Sequence, residues 1–292
     1  MEVKTEIKRA DTWYSEVVKL RKIGIQPGVQ IFPVTQTKKT LYTVKKGCTT
    51  YMIGIPGHGK SEFLLEILLI LSVEYKYKHL LYAPESGNET RQIADLMGKY
   101  LQKDFNYLDM KEFDRAFAFI NHHFIFPSFT GMVDINLFFD AAKQTLQLHK
   151  IDTISIDPWN ELNHDLSSFA GREDKYLSFT LGSIRQFSEQ NNIHFFIVAH
   201  PRTMYEKQKD GKYAPPSFYQ FSGGAEWANK AQSIICIYRE SFTGNEVHII
   251  FQKVKPKEVG VKGELIANYN LNNNRYERFR EPDSTISESA PY

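Results

Sequence analysis

Tyr51-Met52-Ile53-Gly54-Ile55-Pro56-Gly57-His58-Gly59-Lys60-Ser61-Glu62-Phe63-Leu64 is the stretch on which the reading of the fold turns. From Gly54 to Ser61 it spells a complete G-x-x-x-x-G-K-[ST] string, the phosphate-binding P-loop. Short patterns recur by chance, so the flanks carry the weight. Residues 49–55 form a β-branched and aromatic run that reads as a buried strand. Residues 61–75 place Phe63, Leu64, Ile67, Leu68, Ile70 and Leu71 in an apolar pattern of helical length. A strand, a glycine loop and a helix, in that order, is what triphosphate chemistry demands. Glycines let backbone N–H groups turn inward around phosphates, and the helix N-terminus adds its positive dipole end. On this geometry Gly54, Pro56, Gly57, Gly59 and Glu62 border an ATP site, with His58 filling a variable position of the loop. Lys60 reaches the β- and γ-phosphates, and the Ser61 hydroxyl ligates Mg²⁺.

The rest of the composition fits an ordinary globular chain. Of 292 residues, 42% are hydrophobic and 14% aromatic, enough for a sizeable core. That length holds one large α/β domain with extensions, or two small domains. The net charge of +2 is close to neutral, so any attraction for nucleic acid has to come from a local patch. Cys48 and Cys236 stand far apart without metal-ligand spacing and read as buried thiols of a reducing compartment. The first residues lack an apolar signal core. The longest apolar run, 63–73, is interrupted by Glu66 and is too short to cross a bilayer. The expectation is a soluble, cytoplasmic protein with no membrane partner.

Strands are expected at 41–44, 49–55, 78–83, 123–126, 151–156 and 193–199. Helices are expected between them at 61–75, 89–101, 111–120, 134–148 and 174–190. That alternation argues for an α/β fold with a mainly parallel central sheet and helices on both faces. Residues 202–222 form a long polar loop. Beyond it, strands at 233–238, 246–254 and 264–270 read as an antiparallel C-terminal extension. Upstream, Asp11 caps a short helix with Trp13, Val17 and Leu20 on one face, and Gly24, Pro27, Gly28 and Pro33 read as a linker. The expected division is therefore 1–40 as helix and linker, 41–280 as the ATPase core and 281–292 as a polar tail. In an oligomer the N-terminal helix docks on a neighbour; an arm packed down on its own core is the equal alternative.

Ligands of doubly wound sheets sit at the carboxyl ends of the strands, where Glu85, Asp157 and His200 are expected. Asp157 closes an apolar strand, as a carboxylate holding Mg²⁺ through water does; an Asp before Pro is also a common turn start. Glu85 follows the strand expected next to the P-loop strand, where a carboxylate orients and deprotonates the attacking water. An exposed loop acid is the plainer reading there, and Glu89 is the fallback. His200 is placed to hydrogen-bond the γ-phosphate and report its loss to the 202–222 loop, against the structural role more usual for a lone histidine.

Several segments taken together resemble the RecA-type ATPase core of hexameric replicative helicases of the DnaB and Twinkle kind. They are Gly54 to Ser61, Tyr82-Ala83-Pro84-Glu85-Ser86, Ser155-Ile156-Asp157-Pro158-Trp159-Asn160, Val198-Ala199-His200-Pro201-Arg202, Gly223 to Ala231, and Gln252-Lys253-Val254-Lys255. The likeness runs over most of the chain, from about Gly24 to Phe279. It implies that Lys60 and Ser61 hold phosphates and Mg²⁺, Asp157 the metal shell, Glu85 the base and His200 the γ-phosphate sensor. Asn229 stands where these helicases usually carry a glutamine linking nucleotide state to DNA. Arg202, Lys207, Lys209, Gly223 and Gly224 would face a central channel and grip single-stranded phosphates.

The same resemblance puts Lys253 and Lys255 on the strand that delivers positive charge to the neighbouring subunit's ATP. Lys255 occupies the usual arginine-finger position, where lysine supplies charge without the planar fork. The same lysines, with Lys257 and Lys262, also fit an ordinary solvated face. The implied protein is a minimal, Mg²⁺-dependent ATP-driven helicase of a type found in phages and mobile elements. It would form a homo-oligomeric ring, hexameric in the family, around single-stranded DNA, and work with a primase or another replisome partner. A RecA-like filament or mediator that binds single strands and uses ATP as an assembly switch is the alternative.

Overall fold

β3 (Thr49–Ile53) is buried along its whole length, and the chain is arranged around it. The structure, a computed structural model, describes residues 7–33, 39–202, 213–241 and 243–282. β3 lies in a nine-stranded sheet between two parallel neighbours, β7 (His194–Val198) and β8 (Ser233–Tyr238). Next to β7 come β6 (Thr153–Ile156), β4 (His79–Tyr82) and a two-residue edge strand, β5 (Phe124–Ile125), all parallel. On the other side β9 (Glu246–Val254), β10 (Gly263–Asn270) and β11 (Arg275–Arg280) continue the sheet antiparallel to one another.

Side chains along the central strands alternate between two cores. Tyr51, Ile53, Phe195, Ile197, Ile234 and Cys236 face one layer, formed by α5 (Ile135–Leu148), α6 (Glu173–Asn191) and the short α7 (Glu226–Lys230). Met52, Phe196, Val198, Ile235 and Ile237 face the other, formed by α2 (Lys60–Tyr75), α3 (Glu89–Leu101) and α4 (Met110–His123). Local signals start the helices. Asn88 accepts the Arg91 N–H, Asp109 and Glu112 make a capping box, and Asp134 accepts the Leu137 N–H. α2 is apolar around most of its circumference, and the C-terminal strands close over the side that α3 leaves open. Among the described residues, no helix is long and apolar enough to cross a membrane.

Three features depart from the sequence reading. The strand carrying Glu85 is not beside the P-loop strand: β7 and β6 stand between β3 and β4. Chain order lists the strands but does not say which slot a crossover leaves open for later ones. The segment read as a linker is anchored, since β1 (Val29–Gln30) pairs with β2 (Thr43–Val44) and Ile31 and Phe32 enter the core. Phe32 stacks on Phe63 with ring centroids 5.7 Å apart. The sheet also continues past Asn270 into β11, whose apolar Tyr276 and Phe279 are masked by Arg275, Glu277, Arg278 and Arg280. By contrast α1 (Tyr14–Ile23) buries none of its residues, and Tyr14, Val17, Leu20 and Ile23 stay exposed. The packed-down arm is therefore not formed.

Two core histidines make the fold acid-sensitive. His79 lies between Thr153 Oγ1 (2.6 Å) and Ser72 Oγ (2.9 Å); His194 lies between the Lys45 carbonyl (2.7 Å) and Thr50 Oγ1 (3.0 Å). Burial pushes their pKa values down to about 3 and about 4. The unfolded chain takes up these protons below about pH 6.5, whereas the native chain resists them. The stability they contribute is thus full above that value and is lost as pH falls toward 4, at up to about 1.4 kcal/mol per histidine per pH unit. Urea midpoints measured at pH 7 and pH 5 check this; equal midpoints would refute it.

Candidate active site

The loop after β3 is shaped by close packing. A Cβ on Gly54 would lie 2.4 Å from the Ile237 carbonyl oxygen and 3.1 Å from Lys60 Cγ, so no side chain fits. Gly57 and Gly59 have φ of +79° and +89°, in the left-handed region that favours glycine. Pro56 and Gly57 form the exposed crest. Lys60 opens α2, is only 6% exposed, and donates from Nζ to the Ile55 carbonyl at 3.3 Å. Burial pulls its pKa down, and Asp157 and Glu85 pull it back up.

His58 and Glu62 use their side chains elsewhere. His58 Nδ1 accepts the Arg239 N–H at 2.9 Å, and its ring lies 5.5 Å from Tyr238. Burial, then the Lys60 and Arg239 cations, push its pKa down to about 4, so a neutral imidazole fastens the loop to the end of β8. Glu62 accepts the Tyr269 hydroxyl at 3.2 Å and pairs with Lys99 at 3.4 Å. Behind it lies a buried network. Arg275 Nε donates to both Glu66 oxygens at 2.8 and 3.0 Å, and Lys99, 1% exposed, approaches Glu66 at 3.4 Å. Lys99 also donates to the Asn274 carbonyl. The buried Tyr276 sends its hydroxyl to the Gly59 carbonyl at 3.0 Å, joining β11 to the glycine loop itself.

β4, β6 and β7 deliver Glu85, Asp157 and His200 to the same edge of the sheet as that loop. Although two strands separate β4 from β3, Glu85 Oε2 comes within 3.5 Å of His200 Nε2. Asp157 is 2% exposed, and burial raises its pKa to about 6. The Ser61 hydroxyl and Lys60 offset that rise, while Glu85 and Glu62 add to it. Its buried Oδ1 makes no hydrogen bond among the described residues. A buried carboxylate with an unengaged oxygen beside a serine hydroxyl fits Mg²⁺, which takes one or two protein ligands and completes its shell with water and phosphate. Among the described residues no group of three or more His, Cys, Asp or Glu could hold a metal ion, so a metal here would need those outside ligands.

Two residues within the quoted segments had been given no role. Asn160 accepts the His200 N–H at 3.1 Å and so ties the loop after β6 to the end of β7. Trp227 is fully buried and donates from Nε1 to the Ser222 carbonyl at 2.8 Å. Its indole stacks on Phe221 at 5.0 Å and meets Tyr51 at 5.2 Å and Trp159 at 5.4 Å edge-on. It therefore touches the P-loop strand, the loop after Asp157 and the base of the polar loop at once. Its signal was the single tryptophan in an otherwise small and polar stretch.

At that base, Arg202 N–H donates to the Gln220 carbonyl at 2.7 Å, and Ser222 N–H to the His200 carbonyl at 3.0 Å. Lys207 and Lys209 lie outside the described residues. Gly223 and Gly224 both have positive φ, and a Cβ on Gly223 would lie 2.3 Å from Leu177 Cδ1. Asn229 is exposed and donates to Glu226 at 3.2 Å. Lys253 donates to the Ala228 carbonyl of its own chain at 2.5 Å, and burial, then Lys255 and Arg185, lower its pKa. Lys255 is exposed and makes no hydrogen bond or ion pair among the described residues. Val254 pairs with Ser233 at the start of β8, whereas Ile237 abuts Gly54. Four residues of strand put Lys255 about 13 Å or more from its own glycine loop.

No family model matches the chain. In sequence it is similar to the Twinkle homolog protein, chloroplastic/mitochondrial, of Arabidopsis thaliana, with 28% identity over 267 residues. That match covers 86% of this chain, which spans 36% of the length of the plant protein. In structure it is similar to an ATPase domain solved on its own, with a TM-score of 0.69 and 14% identity over 95% of this chain and 100% of that one. It is equally similar to a DnaB-like replicative helicase solved with attention to its interactions with primase, with a TM-score of 0.69 and 14% identity over 94% of this chain and 67% of that one. At such identities the likeness shows the fold alone: the α/β architecture those two proteins share, mainly parallel, with an antiparallel C-terminal extension.

Proposed function

We propose that this chain, with the fold of a DnaB-like helicase ATPase domain and sequence similarity to a Twinkle homolog, is an ATP-driven DNA helicase. It would hydrolyse ATP between the subunits of a homo-oligomeric ring, hexameric by family resemblance, and move on single-stranded DNA to unwind duplex during replication. The observation that carries this reading is the convergence of Lys60, Ser61, Asp157, Glu85 and His200 on one edge of the sheet, with Lys255 at the other.

Ser61 and Asp157 would hold Mg²⁺, which neutralises charge developing on the transferred phosphoryl group. Lys60, released from the Ile55 carbonyl, turns to the β- and γ-phosphate oxygens. Glu85, exposed beside His200, takes a proton from the attacking water. His200 then sits between the base and a backbone bond that leads through Ser222 to the polar loop. Trp227 supports the same route by packing. Arg202, Lys207, Lys209, Gly223, Gly224 and Asn229 are proposed to follow the phosphates of a single strand.

Lys255 stands too far back to serve its own site, so its charge suits a neighbour's triphosphate; Lys253 would have to leave Ala228 to join it. The exposed apolar side of α1 suits docking on the adjacent copy. A primase or another replisome protein is the proposed partner, and the cytoplasm, suited to the buried thiols of Cys48 and Cys236, is the proposed compartment.

Strand displacement by the purified chain tests the reading. We expect closed rings in electron micrographs with nucleotide and DNA, hydrolysis stimulated by single strands, and binding that weakens steeply with salt. Hydrolysis without unwinding or translocation would remove the motor, and open helical filaments would replace it with the filament reading.

A further inference from the structure

Glu85 rides on one short turn, Pro84–Ser86, closed by a bond from the Ser86 N–H to the Ala83 carbonyl at 3.1 Å. Pro84 and Glu85 are both exposed. A single exposed turn holds a carboxylate loosely, and among the described residues His200 is its one ion-pair partner. The other support comes from α3. Gln92, 6% exposed, sends its side-chain amide back beneath the turn. Nε2 donates to the Ala83 carbonyl at 2.9 Å and to the Gly87 carbonyl at 2.9 Å. Both amide hydrogens are thereby spent on the two carbonyls that bracket Pro84-Glu85-Ser86.

The platform beneath is firm. Gln92 N–H donates to the Asn88 carbonyl at 3.1 Å, and the Asn88 side chain caps the same helix by accepting the Arg91 N–H at 3.0 Å. Gly87, with φ of +92°, reverses the chain between the turn and the helix. The other end of the amide tells against a mere packing role. Gln92 Oε1 is buried with no hydrogen-bond partner among the described residues. A buried carbonyl left unpaired is unfavourable, and an apolar side chain of similar shape would avoid it. A glutamine here makes sense through the two bonds its nitrogen makes.

We propose that Gln92 is a positioning residue for the Glu85 carboxylate: it clamps both ends of the turn so that Glu85 meets the attacking water in one orientation. This rests on the reading of Glu85 as the base of ATP hydrolysis. Gln92 does not itself touch substrate.

Gln92→Met tests it, because methionine keeps the unbranched shape and loses both donors. In the full chain with ATP, Mg²⁺ and single-stranded DNA, kcat is expected to fall by about 10²-fold, the scale of a misplaced catalytic group. KM for ATP should stay within about twofold, since the phosphate cradle is untouched. The loss should vanish in a Glu85→Gln background, where there is no base left to orient. Hydrogen exchange at the Ser86 amide should rise in Gln92→Met, a readout that does not depend on turnover. An unchanged kcat in a parent that hydrolyses ATP, an equal loss in the Glu85→Gln background, or unchanged exchange at Ser86 would each overturn the clamp. A parent that shows no hydrolysis would instead sink the ATPase reading, and exchange alone would then decide whether Gln92 holds the turn.

Discussion

Lys60→Ala is expected to lower ATP hydrolysis by at least about 10²–10³-fold, the loss typical when one preorganised electrostatic donor is removed from a water-excluded site. Lys60 is 6% exposed, so its charge acts where water screens poorly. Its removal also leaves Asp157 and Glu85 without the cation that partly offsets them. Lys60→Arg should not rescue the rate. The lysine stem already passes 3.1 Å from where a Gly54 Cβ would be, and a guanidinium needs more width than an ammonium. Single-turnover hydrolysis, with a thermal melt to show that the variant folds, is the measurement. Activity within tenfold of the parent would end the assignment of the P-loop.

Glu66→Ala is expected to cost about 3–5 kcal/mol of stability, the usual result of removing one partner from a buried ion pair. Arg275, which bonds both carboxylate oxygens, loses its anion, and the buried Lys99 is left with Glu62 alone, a partly exposed carboxylate at 3.4 Å. Against the total of about 5–15 kcal/mol typical of a folded domain, that is a large fraction. Because these charges tie α2 and α3 to β11, the loss should appear as a lower denaturant midpoint for the whole domain. A change under about 1 kcal/mol would show that the network is solvated in solution. Glu66→Gln, which keeps one acceptor but loses the charge, should fall between.

Much of this was legible in the sequence wherever the signal is local. The P-loop, its strand and its helix announce themselves because glycines, a lysine and two apolar runs sit within two dozen residues. Glu85, Asp157 and His200 could be placed because each stands just beyond the end of an apolar strand. Long-range choices were not legible. The slot of β4 depends on where β6 and β7 later pair, and β11 hides its two aromatic side chains among arginines and a glutamate. Glu66 looked like an interruption of a greasy helix because its partners lie 33 and 209 residues away. The P-loop pattern names His58 and Glu62, but it does not say that one side chain turns to β8 and the other to the C-terminal strands.

The hydroxyl of Tyr276 on the Gly59 carbonyl joins residues 217 positions apart. A ribosome delivers the glycine loop early and the tyrosine that steadies it only after nearly all of the sheet has been made. If the chain binds nucleotide as proposed, tight binding is a late acquisition during synthesis, and a nascent chain released before residue 276 would carry the signature motif without a finished grip. The motif and the competence it advertises arrive at different times.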